Sequence, residues 1–149
     1  MIMRGFSRVI LLMSCLFVVS FFLLTCAKKE EGKVLVTEKE FFITHDDKYS
    51  WSLHVRGKVK NVGSVDVKNI IITGYCRSCN EIVVNDNWFV NSIERMPEQK
   101  DTISYINTGD EVEFKFKEIA YYFGRSGRDP QNTPDQLEIV IESFETVSD

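Results

Sequence analysis

The sequence has little of what breaks or staples a chain. Only three prolines and eight glycines occur among 149 residues, and four cysteines are too few for a disulfide scaffold. Collagen-like and low-complexity architectures are excluded, and so is disorder, because 44% of the residues are hydrophobic and 12% aromatic. The two histidines, His45 and His54, leave a structural zinc site short of ligands. A strongly basic surface is missing as well. Acids are absent before Glu30, so cleavage ahead of Cys26 would remove two of the 18 basic residues and none of the 22 acidic ones. The remainder carries a net charge near −6, which argues against nucleic acid as a partner. The length suits one domain, and no internal repeat is evident.

What the sequence does have begins at its N-terminus. Arg4 and Arg8 precede an uncharged stretch over residues 9–24, VILLMSCLFVVSFFLL, in the order of a secretory signal. Leu23-Leu24-Thr25-Cys26 then resembles a bacterial lipobox, although Thr25 stands where Gly, Ala or Ser is usual. The resemblance implies a lipoprotein signal peptide over residues 1–25, acylation of Cys26 and a lipidated tether over residues 26–32. The earlier Cys15 sits too far inside the apolar run for that role. Ala27 is not the acid associated with inner-membrane retention. Two rival readings remain. Residues 9–27 would span about 28 Å as a helix, enough for an uncleaved anchor, and Thr25-Cys26-Ala27 suits an ordinary signal peptidase. All three place residues 30–149 outside the cytoplasm, facing the periplasm or exterior.

Beyond the tether the dominant period is two. In residues 49–61, YSWSLHVRGKVKN, Trp51, Leu53, Val55, Gly57 and Val59 share one side, and Ser52, His54, Arg56, Lys58 and Lys60 the other. Such alternation predicts a half-buried strand, with His54 facing solvent. Val112, Phe114 and Phe116 alternate with charges, as do Leu137, Ile139 and Ile141 with Glu138 and Glu142. Further strands are expected over residues 33–44, with a break near Glu38–Glu40, and over 65–75 and 82–89. Polar turns separate these runs, and residues 124–136 form a long loop. No window carries a helical stripe; residues 118–123 come nearest and are too short. Six or seven strands in residues 33–149 predict an all-β sandwich, since one open sheet could not bury so many apolar faces.

Arg56-Gly57-Lys58-Val59-Lys60-Asn61-Val62-Gly63, followed by Val67-Lys68-Asn69-Ile70-Ile71-Ile72, resembles the core of FxLYD-type immunoglobulin-like domains. Thr108-Gly109-Asp110-Glu111-Val112-Glu113-Phe114 is similar to a later part of the same family. The resemblance covers residues 49–117 and implies a non-catalytic module of the cell envelope. It fails at the hairpin after the second strand, where the family is acidic and this chain has Tyr75-Cys76-Arg77-Ser78-Cys79-Asn80.

Cys76 and Cys79 form the one reactive-looking motif. A redox CxxC needs its first cysteine at a helix N-terminus, whereas this pair lies on a turn between strands. A local disulfide is the expectation; thiol-redox and metal-handling roles are the rivals. Asp46-Asp47 after His45 reads as a turn. Gly124-Arg125-Ser126-Gly127-Arg128 lacks the Lys-Ser/Thr of a phosphate loop, yet could present two guanidinium groups to an anion. Adjacent aromatics, Trp88-Phe89 and Tyr121-Tyr122-Phe123, must face opposite sides of a strand. Trp88, Tyr121, Tyr122, Arg125 and Arg128 are therefore the candidate partner contacts. The expectation is a membrane-anchored binding or assembly module, not an enzyme, with no metal or cofactor. Its partner would be an envelope protein or glycan, with the accessory subunit of an envelope complex as a further alternative.

Overall fold

The computed structural model describes residues 30–90 and 95–147, so Cys26, the signal segment and most of the tether lie outside the described residues. Seven strands form two antiparallel sheets. They are β1 (Val34–Asp47), β2 (Ser50–Asn61), β3 (Val67–Cys76), β4 (Trp88–Phe89), β5 (Lys100–Ile106), β6 (Glu111–Phe123) and β7 (Leu137–Thr146). One sheet has the order β1-β2-β6-β4 and the other β5-β3-β7, so the chain changes sheet at every connection after β2. The result is the all-β sandwich expected from the alternation. A short 3-10 turn, Pro97–Gln99, is the one helical element among the described residues.

The core follows from the period of two. Trp51, Leu53, Val55 and Val59 on β2 and Phe114 and Phe116 on β6 point inward. They meet Val67, Ile70 and Ile72 of β3 and Ile103 and Ile106 of β5. At one end, here the lower, Val34 pairs with Asn61, Lys60 with Glu111 and Val67 with Thr146. Asn61 is fully buried there. Its amide donates to the carbonyls of Val65 at 2.8 Å and Ile106 at 3.3 Å, and its Oδ1 accepts the Gly63 N–H, so one side chain shapes the turn and joins the sheets. At the upper end lie the β1–β2 turn, the disulfide turn and residues 124–136.

Three expectations need correction. β1 runs unbroken to Asp47, with a bulge between Val36 and Glu38 in place of a break, and Asp46-Asp47 belongs to the strand while Lys48-Tyr49 makes the turn. Residues 82–89 are not one strand: only Trp88–Phe89 forms one, Asn85 makes an isolated bridge to Phe123, and Ile82 and Val83 are 71% and 59% exposed in a loop. Residues 118–123 continue β6, which bulges opposite His54 where Glu118 takes a φ of 63°. β5 falls in a stretch where the sequence alternation predicts no element.

The third correction is His54, which is 6% exposed and does not face solvent. The Phe42 ring from β1 stands 5.3 Å from it, and the β6 bulge covers its other side. Its Nδ1 accepts the Glu118 N–H at 3.1 Å, which leaves Nε2 to donate to Thr44 Oγ1 at 2.6 Å. Thr44 in turn donates to Asp46, which also receives the Ser52 hydroxyl. Only a neutral ring fits this chain of donors and acceptors. Burial pushes the His54 pKa below its ordinary 6.5, outweighing the opposite pull of Asp46 and Glu118. The unfolded chain thus binds a proton that the folded chain resists, so stability is lost as pH falls below the ordinary histidine value. The melting temperature should drop from pH 7 to about 5.5, and His54→Gln should flatten that slope. An unchanged slope in the variant would assign the pH response to other groups.

The edge of the four-stranded sheet is only partly occupied. β4 covers Tyr121 and Tyr122, and an isolated bridge from Asn85 covers Phe123. Further down, the Lys115 N–H donates to Asp101 Oδ2 at 2.8 Å, and the buried Gln99 amide donates to the Glu118 carbonyl at 2.7 Å. Side chains from the β5 region therefore satisfy backbone groups of β6 where no strand pairs with them.

Candidate functional site

Register builds the upper end of the sandwich. His45 pairs with Trp51, Trp51 with Tyr122 and Tyr122 with Trp88, so four rings form a row across β1, β2, β6 and β4. His45 stacks on Trp51 at 4.7 Å, Tyr122 meets Trp51 edge-on at 5.6 Å, and Trp88 lies 5.5 Å from Tyr122. Both tryptophans are buried, yet each indole N–H needs an acceptor. Residues 124–136 provide them. Trp51 donates to Asp129 Oδ1 at 3.0 Å and Trp88 to the Asn132 carbonyl at 2.7 Å. The loop is further held by Gly124 N–H on the Tyr49 carbonyl and by Arg125 N–H on Asp86 Oδ1. Two left-handed residues, Asp86 and Gly127, turn the chain at its margins.

Between this loop and the β4–β6 pair lies a recess of about 370 Å³. Tyr122 and Trp88 form its floor, Asp86 and Asn87 one wall, and Ser126, Arg128, Asp129, Gln131 and Asn132 the other. Burial, with the negative charge of Asp86, raises the Tyr122 pKa, so its hydroxyl remains a donor at neutral pH. A larger hollow of about 680 Å³ lies elsewhere, lined by charges of β1, β2 and β6. Those charges are largely matched to one another, Arg56 with Glu40 at 2.7 Å and Lys58 with Glu38 at 3.0 Å, which leaves a ligand little to engage.

Three of the five candidate contact residues, Trp88, Tyr122 and Arg128, meet at the recess. Tyr121 does not, because its neighbour's side of the strand is the inward one. Its ring stacks with Phe89 at 6.0 Å and its hydroxyl donates to Glu118 Oε2 at 2.6 Å. Burial and that carboxylate hold the Tyr121 pKa well above the usual phenol value. Arg125 is exposed outside the recess lining. The polar wall residues Asp129, Gln131 and Asn132 carried no periodic signal; the Asp129-Pro130 and Asn132-Thr133-Pro134 runs marked only a loop.

Cys76 and Cys79 are joined by a disulfide with Cα atoms 5.4 Å apart. Cys76 ends β3, and the turn continues toward the loop through the Arg77 N–H, which donates to the Gln136 carbonyl at 2.8 Å. Arg77 lies 4.5 Å from the Tyr75 ring centre and bonds Glu138 at 2.9 Å. Residues 80–90, which follow the pair, contain no helix, so none starts at either sulfur to aim its dipole there. Closing so short a loop removes little chain entropy. Double substitution to Ser should therefore lower stability by less than about 2 kcal/mol, read from urea unfolding. A larger loss would make the turn a structural keystone.

Among the described residues no group of three His, Cys, Asp or Glu side chains is placed to hold a metal ion. No known protein family, curated protein or solved structure matches the chain, so the functional reading rests on its own geometry.

Proposed function

We propose that this protein is a lipid-anchored component of a bacterial cell envelope. Its β-sandwich, of immunoglobulin-like kind, binds a partner at the upper end without transforming it. The observation that carries this reading is the placement of the recess at the end opposite to where the chain enters. Residue 30 comes in at the lower end, where Glu31 N–H donates to Ser64 Oγ at 3.0 Å and Val62 N–H to the Lys33 carbonyl at 2.7 Å. β1 then runs 14 residues to the upper end, roughly 45 Å at strand rise. A tether acylated at Cys26 would keep the lower end beside the lipid and hold the recess clear of it.

Two measurements on the full chain in cells test the proposal. Cys26→Ser should abolish labelling by a palmitate analogue and leave an unprocessed precursor; a normal-sized labelled product would refute the anchor. A photo-crosslinking residue at Gln131 should capture a partner that one at Glu38, on the outer face, does not. Equal capture from both positions would refute the upper-end site.

A further inference from the structure

We infer that the recess takes a neutral saccharide, an inference that rests on the binding reading above and names its ligand class. Several polar atoms of the recess are already engaged. Asp129 gives Oδ1 to the Trp51 indole, and Asp86 gives Oδ1 to the Arg125 N–H. Each carboxylate keeps its second oxygen as an acceptor. Asn87 Oδ1 accepts the Trp88 N–H at 2.9 Å, which leaves the Asn87 amide nitrogen as a donor. Arg128 can only donate, while Gln131 and Ser126 do both. Strong acceptors and strong donors thus share one small space, above a floor of Tyr122 and Trp88.

Few ligand classes satisfy such a mixture. An apolar molecule would strand the polar walls without partners, at a desolvation cost the two rings cannot offset. An anion meets Arg128 but also Asp86 and Asp129, so like charges outnumber the attraction. A bare cation is attracted by Asp86 and Asp129 but repelled by Arg128, and it accepts nothing from the donors of Asn87, Gln131 and Ser126. An extended peptide would need an open strand edge for its amides, and β4 already occupies the upper edge of β6. A sugar hydroxyl both donates and accepts, so vicinal hydroxyls can face a carboxylate and a guanidinium together. The C–H face of the ring then rests against Tyr122, the half-buried ring of the floor, which loses little rotamer freedom on contact. The volume of about 370 Å³ falls in the ~300–1,000 Å³ range of small-ligand sites.

The test uses the detergent-solubilised full chain on an array of neutral and anionic oligosaccharides, with Arg128→Ala and Gln131→Ala as variants on the exposed wall. At least one neutral glycan should be retained, and each variant should weaken it about tenfold, as expected for a lost hydrogen bond. Retention of anionic glycans alone overturns the inference, as does neutral binding that neither variant weakens. If no glycan is retained while the Gln131 cross-linker still captures a protein, the saccharide assignment fails and the binding reading stands. If neither occurs, both fall.

Discussion

Trp51→Ala is expected to lower the unfolding free energy by about 3–5 kcal/mol, comparable to the whole stability of a small domain. Trp51 is 2% exposed, packs against His45 and Tyr122, and carries the hydrogen bond that holds Asp129. Alanine removes one of the two largest rings of the upper core and leaves a cavity that a sheet cannot collapse around. Trp51→Phe separates packing from tethering, because it keeps most of the apolar surface and loses only the indole donor. Residues 124–136 should then exchange their amide hydrogens faster with little change in global stability. A melting temperature for Trp51→Ala within a degree or two of the parent would place Trp51 outside the core.

That burial was legible in the sequence, since Trp51 lies on the apolar side of the clearest alternation. The same pattern misplaced His54. Alternation assigns one face to water, but at the upper end of β2 both faces are covered, the outer one by Phe42 and the Glu118 bulge. A bulge is a pairing event between strands distant in sequence, so no local pattern reports it. β5 escaped notice because Lys100–Ile106 offers just two isoleucines among polar residues, and they gain their meaning only against Ile70 and Val67 of β3. Ile82-Val83-Val84 misled in the other direction, as a branched apolar run that reads as a strand but lies in a loop. At the recess, ring composition singled out Trp88 and Tyr122, and register then separated Tyr122 from Tyr121.

Gly57→Ala should cost about 3 kcal/mol, the upper end of the usual penalty for overfilling a packed interior. A Cβ at Gly57 would sit inside van der Waals contact with the Glu38 carbonyl oxygen and 2.7 Å from the Phe114 ring. The carbonyl belongs to backbone beside the β1 bulge, paired to β2, and cannot swing aside as a flexible side chain would. Gly109→Ala is the informative contrast. Nothing lies within 4 Å of a Cβ there, but its φ is 85°. The cost is then backbone strain alone, about 1–2 kcal/mol. Chemical denaturation of both variants reads the difference directly; equal losses would mean that β1 yields at the bulge.

The treatment of the β6 edge bears on how densely such molecules could stand together. An unpaired strand edge is a template for a neighbour, and molecules that the proposed lipid anchor confined to a plane would meet one another far more often than the same number in solution. Asp101 on the Lys115 N–H and Gln99 on the Glu118 carbonyl answer two of the groups that a second chain would seek. The contact is thereby spoken for before any neighbour arrives. These two polar side chains should lower the tendency of closely spaced copies to pair edge to edge, an effect that a stability measurement on dilute protein would not read.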